Sequence, residues 1–248
     1  MDFNLILEIV LTLLAVFMAI VLHEVAHGYM AYRLGDPTAK NRGRLTLNPL
    51  AHVDLVGTIL VPVGLILMQF LFNFGGVLFG WAKPVPISPS YFRNPLRGML
   101  YVALAGPGTN IALALGTVVV GHVVLLLIPD QTSTTLFYGV QTGQVIPTFG
   151  QNMLAALFFV LAAFALYNLI LAAFNLLPIP PLDGSRVLMY FLSPRGRRFL
   201  ISIERYGFFL LIGLLYLRVL DPVFNGIWSL WQGLLGEEWL VWRFLFRV

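Results

Sequence analysis

The chain has 248 residues, of which 59% are hydrophobic and 10% charged, with a mean hydropathy of +0.87. That excludes an ordinary soluble domain, which needs far more polar surface. The absence of cysteine excludes disulfides, thiolate ligands and a cysteine nucleophile, and the net charge of +4 does not point to a nucleic-acid partner.

The first apolar segment runs from about Leu5 to Tyr32 and carries no basic residue before Arg33. It lacks the basic start and early cleavage site of a secretory signal, so it reads as a retained membrane helix. A second apolar segment, from about Val53 to Phe74 and on to Trp81, is interrupted by Gly57, Pro62 and Gly64. The stretch "AKPVPISPSYFRNP" that follows is proline-rich, which removes donors and disfavours helix. Lys83 to Ser90 is expected to be extended there, with either a strand edge for an unwound substrate or a plain loop as its role. A third apolar segment covers about Leu96 to Ile128, and Pro129 to Thr148 is a polar connection without Lys or Arg. The fourth runs from about Asn152 to Leu177, breaks at "PIPP" and resumes over Asp183 to Phe191. A fifth spans about Leu200 to Leu220, and the tail holds Trp228, Trp231, Trp239 and Trp242 with Arg243 and Arg247, a mix that suits a membrane-interfacial helix.

Several of these runs reach the roughly 20 residues a bilayer-crossing helix needs. A lipid-embedded backbone must satisfy its own polar groups. The expected fold is therefore an all-α polytopic membrane protein. It is a helical bundle with a re-entrant or hairpin segment and a short extended or β stretch between the second and third apolar segments. Twelve of the fifteen Lys and Arg residues fall in Arg33 to Arg44, Lys83 to Arg97 and Arg186 to Arg205, which assigns those loops to the cytoplasmic side.

His23-Glu24-Val25-Ala26-His27 is an HExxH motif. Histidines four apart lie on one helical face and can reach one ion, while the glutamate between them can take a proton from water at that ion. Ionisable groups inside a membrane are costly and usually functional. A catalytic zinc takes three protein ligands, so a third must come from elsewhere. Asp183 stands out, placed after the helix break with no other acid between Asp130 and Glu204; capping the helix that restarts there is its other reading. His52 and His122 complete the candidates.

HExxH on an early membrane helix followed by Asn175-Leu-Leu-Pro178-Ile-Pro-Pro181-Leu-Asp183-Gly184 resembles the site-2 proteases, intramembrane zinc metalloproteases. "LAGPGTN", Leu104 to Asn110, is similar to a core helix of that family, and the resemblance covers about Val21 to Val187. It implies one Zn2+ held by His23, His27 and Asp183, with Glu24 as the catalytic base and Asn175 on the substrate or the developing oxyanion. It implies a single-span membrane protein or membrane peptide as substrate, and a compact domain over residues 1–248 without PDZ or CBS modules. The core would be about 5–192, and 200–248 an added membrane helix and interfacial tail. A multi-pass protein of a prokaryotic cell membrane, with its site near the cytoplasmic face, is the implied setting. Ser185 stands where the family often has a second glycine. A membrane zinc transporter is the alternative; the single polar cluster and the lack of internal repeats disfavour it.

The metal reading constrains threading. Asp183 can share a level with the histidines only if the first and fourth segments run the same way, so only one of the second and third crosses. Val53 to Trp81 is therefore expected to enter and leave on one side, bending at Pro62 and Gly75-Gly76. Gly106 and Gly108 are expected to serve helix packing, Asn110 to bond across a helix interface or orient a ligand, and Asn168 to be structural.

Overall fold

The computed structural model describes residues 3–61, 63–64, 67, 82–127 and 149–236. Helix α1, Phe3–Arg33, begins the chain. Its end follows from local chemistry. Gly35 takes φ +104, a conformation open to glycine, and the Asp36 and Gly35 N–H groups return to Ala31 O and Tyr32 O. This closure delivers Asp36, fully buried, to the start of the short helix α2, Thr38–Asn41, where its carboxylate accepts from Thr38 N–H and Oγ1. A single π-helical turn, Leu55–Leu60, is opened by Asp54, which accepts from Val56 and Gly57 N–H.

Helix α3, Pro95–Leu127, starts with proline at its first position, and Asn94 Oδ1 accepts from Arg97 N–H. Helix α4, Phe149–Asn175, is followed by the proline turn and by α5, Asp183–Phe191. The remaining helices are α6, Pro194–Glu204, α7, Gly207–Tyr216, and α8, Asp221–Leu235.

Among the described residues three stretches are long and apolar enough to cross a membrane: Val10–Arg33, Pro95–Val124 and Leu157–Asn175. They pack mutually through small residues. Ala19 on α1, Ala114 on α3 and Ala162, Ala163 and Ala165 on α4 have no exposed surface, so backbones approach closely. The opposite faces carry Leu13, Leu14, Ile111, Leu115 and Val119 outward, which suits lipid. Helix α8 joins this core: Trp231 is 4% exposed, packs with Ala162 and Phe158, and donates from Nε1 to Ala162 O at 3.1 Å.

Two expectations meet a different structure. No β-strand occurs among the described residues, so the extended or β stretch over Lys83 to Ser90 does not form. The reason lies in its donors. Pro84, Pro86 and Pro89 have none, and the N–H groups of Lys83, Val85 and Ser88 are taken by His52 O, Glu24 Oε2 and Asp36 Oδ2. Residues 82–88 are irregular and run into a short 3-10 turn, Pro89–Tyr91. The fifth apolar segment is not one rod either. Helices α6 and α7 meet at 76°. Gly207 sits so close to the proline turn that a Cβ there would lie 2.2 Å from Pro180 O, and Arg186 pairs with Glu204 at the end of α6.

The expected bends at Pro62 and Gly75-Gly76 lie outside the described residues, as do Trp239 and Trp242. The ends of that excursion are described. Lys83 N–H, just after it, donates to His52 O, just before it, at 2.9 Å, so its two flanks meet.

Candidate metal centre and its surroundings

His23 and His27 lie one turn apart in the C-terminal third of α1, and Asp183 is the first residue of α5. The proline turn after α4 brings that residue back to α1. Gly184 packs so tightly on Leu176 O and Leu177 O, at 2.2 and 2.3 Å from a hypothetical Cβ, that a side chain there would push α5 away. Asp183 is not the cap of α5. The capping position is Leu182, and the Asp183 carboxylate faces the two imidazoles instead.

The ligand atoms converge. His23 Nε2 and His27 Nε2 are 2.9 Å apart, and Asp183 Oδ2 is 3.1 Å from each. Among the described residues this is the one set of three or more such groups close enough to share an ion. Tetrahedral zinc with bonds of about 2.0–2.2 Å holds its ligands roughly 3.3 Å apart, near the observed triangle. His27 Nδ1 is 2.7 Å from Val102 O, which can only accept, so Nδ1 carries the proton and the Nε2 lone pair faces inward. Lone pairs and a carboxylate crowded together without a shared proton repel, and a cation between them removes the repulsion. Gly106 of α3 provides the room: a Cβ there would lie 2.5 Å from His27 Nε2 and 2.6 Å from His23 Cε1. The residues present fit a single zinc ion.

Glu24 is half-buried beside this cluster, and its Oε2 accepts Val85 N–H at 2.9 Å. The irregular 82–88 segment thus fixes the carboxylate while taking it into no ion pair among the described residues. Asn175, at the end of α4, donates from Nδ2 to Leu171 O of its own helix at 3.0 Å. The other candidate ligands stay away. His52 is fully buried against Thr46 O, and His122 accompanies Val118 O of its own helix.

Gly106 and Asn168 matter here in ways the sequence alone did not assign, and Asn110, expected to bond across a helix interface or orient a ligand, bonds across from α3 to His23 of α1. Gly106 touches both imidazoles, whereas Gly108 has nothing near its missing Cβ. Asn110 Oδ1 lies 2.5 Å from His23 Nδ1, and Asn110 Nδ2 lies 2.6 Å from Asn168 Oδ1; both asparagines are fully buried. Their sequence signal was an amide in the middle of a lipid-length apolar run, a costly placement without a partner.

Comparison with known proteins agrees with this chemistry. The family model described as "Peptidase family M50" matches residues 11–215. Two bacterial relatives bear the name "Putative zinc metalloprotease": YwhC of Bacillus subtilis strain 168 and Rip2 of Mycolicibacterium smegmatis. YwhC is 37% identical over 81% of this chain and 76% of its own length. Rip2 is 29% identical over 84% of this chain and 67% of its own. No solved structure gives a significant match. The matched region holds α1, α3, α4 and α5 whole or nearly so, with every residue of the triangle inside it, and on that basis the chain belongs to peptidase family M50, as an integral membrane zinc metallopeptidase.

Proposed function

We propose that this protein hydrolyses peptide bonds within or near the transmembrane segment of single-span membrane proteins, with His23, His27 and Asp183 holding one zinc and Glu24 as general base. The observation that carries the assignment is the approach of three potential ligand atoms, from residues 160 apart in sequence, to within about a zinc site's dimensions. Zinc bound there supplies a Lewis acid that polarises a carbonyl and makes water acidic near neutral pH. Glu24 takes the proton from the attacking water and returns one to the leaving amine. Val85 N–H holds the carboxylate in place for this transfer without neutralising it. Asn175 stands beside the proline turn with its amide oxygen available to a substrate N–H, which suits a substrate-positioning role.

The whole of residues 1–248 acts as one membrane-embedded unit in this reading, in the cell membrane of a prokaryote. The triangle lies toward the ends of the helices that meet the basic loops, so the site opens near the cytoplasmic face. Water and cleaved ends then exchange with the cytoplasm rather than with lipid.

Glu24→Gln tests the assignment. Purified variant should keep one zinc per chain while cleavage of a membrane-inserted single-span substrate falls by at least about 10²-fold, the scale of general-base catalysis. Asp183→Ala should lose the zinc. Wild-type protein that holds no zinc, or Glu24→Gln cleaving at the wild-type rate, would overturn the proposal.

A further inference from the structure

The buried amides next to the triangle form a chain with a definite direction. It begins at Phe164 O, a helix carbonyl that can only accept. Asn168 Nδ2 lies 2.7 Å from it, so the Asn168 NH2 faces α4 and its Oδ1 faces Asn110. Asn110 Nδ2 is 2.6 Å from that oxygen and must therefore donate. A second carbonyl, Ala19 O of α1, lies 3.5 Å away on the same side of Asn110 Nδ2 and orients the amide the same way. That leaves Asn110 Oδ1 toward His23, 2.5 Å from Nδ1, where only a donor fits. His23 Nδ1 must carry the proton, and its Nε2 must present a lone pair to His27 and Asp183.

We propose that Asn168 and Asn110 are positioning residues that act in series: two backbone carbonyls on α4 and α1 dictate, through two fixed amide orientations, which nitrogen of His23 is free to bind metal. The inference rests on the zinc reading above and extends it to two residues that touch no reacting atom. The physical need is plain. A neutral imidazole has two tautomers, and only one can ligate through Nε2; the hydrogen bond at the other nitrogen chooses between them. His27 uses a carbonyl directly for this purpose. His23 uses the amide chain instead. Asn110 and Asn168 have no exposed surface, so water cannot substitute for a broken link. The chain also crosses three helices, α1, α3 and α4, and ties the ligand's tautomer to their packing.

Two measurements test it, both on the full chain in detergent. The first is ¹⁵N NMR of the metal-free wild type with labelled histidine, with the His23 signals identified by their loss in His23→Gln. At a pH where the ring is neutral, His23 should show a protonated Nδ1 and a bare Nε2. An Nε2–H tautomer would overturn the proposal without any variant having to fold. The second is a double-mutant cycle on zinc affinity, read by competition with a chelator. Asn110→Leu should weaken zinc by 10- to 100-fold, the usual scale for partners of ligating histidines, and Asn168→Leu by about tenfold. In the Asn110→Leu background, Asn168→Leu should change nothing further, because its effect passes through Asn110. Independent, additive losses, or wild-type affinity in Asn168→Leu, would mean mere packing. A wild type that binds no zinc yet shows the expected tautomer would sink the metallopeptidase reading and leave the amide chain standing.

Discussion

Gly106 and Gly108 stand two residues apart in one motif and do different work. A methyl group on Gly106 would occupy the space of the His27 and His23 rings; on Gly108 it would meet nothing within 4 Å. Gly106→Ala should therefore lower zinc affinity by about 10- to 100-fold, the scale of displaced ligands, while Gly108→Ala should leave it unchanged. Chelator competition on the two purified variants checks the pair, and equal affinities would show that α3 does not shape the site. Asp183 is a related case. Its position after "PIPP" suggested both a ligand and a helix cap, and the structure places it against the imidazoles with Leu182 at the cap position.

At the scale of elements, the irregular segment before α3 is held by two carboxylates from one helix and its exit. Glu24 takes Val85 N–H and Asp36 takes Ser88 N–H. Burial pushes the Asp36 carboxyl up, but the hydrogen bonds from Ser88 N–H and from Thr38 outweigh it, so its pKa lies below the ordinary value. A group depressed in this way contributes stability above its unfolded pKa of about 3.9, and that contribution is lost as pH falls through the folded value. The protection factor of the Ser88 amide, its exchange relative to the intrinsic rate at each pH, should accordingly be high near neutral pH and fall on acidification below about pH 4. Asp36→Ala should remove that protection at neutral pH, with a stability loss of about 1 kcal/mol for the part-buried donors left unpaired. Unchanged exchange in the variant would show that Asp36 does not hold the segment. The extended or β stretch expected here is absent because three prolines and three committed N–H groups leave no ladder to pair, and the plain-loop alternative is what forms. Helix α8 is fastened differently, by an indole buried against α4. Trp231→Ala removes that anchor and its hydrogen bond to Ala162 O, and should cost about 3–5 kcal/mol in unfolding measurements.

For the whole molecule, the relative directions of the three membrane-length helices decide where the chemistry lies. His23 meets Asn110 and His27 meets Val102, so α1 and α3 run in opposite directions; α4 returns to deliver Asp183 at the level where α1 placed its histidines. Because the chain has no cysteine, this threading can be read with single introduced thiols. Lys40→Cys, beside α1's end, should react with a membrane-impermeant reagent from the cytoplasmic side, and Leu126→Cys, 85% exposed near the far end of α3, only from the other. Labelling of both from one side would contradict the arrangement.

The sequence alone determined that this is a helical membrane protein with His23, Glu24 and His27 on one helix and Asp183 as the leading partner, because hydropathy, a four-residue spacing and a lone acid beside a proline break are local signals. It also contained the reasoning that α1 and α4 run the same way, since one ion cannot be shared across a bilayer's thickness. Only the tertiary structure decided that Gly106 makes room for the imidazoles, that Asn168 speaks to His23 through Asn110, and that Val85 and Ser88 spend their N–H groups on Glu24 and Asp36. Those contacts join residues tens of positions apart on different helices. Periodicity shows that a residue lies on a face; which face meets which, and which hydrogen bond directs the next, follows from how the helices pack.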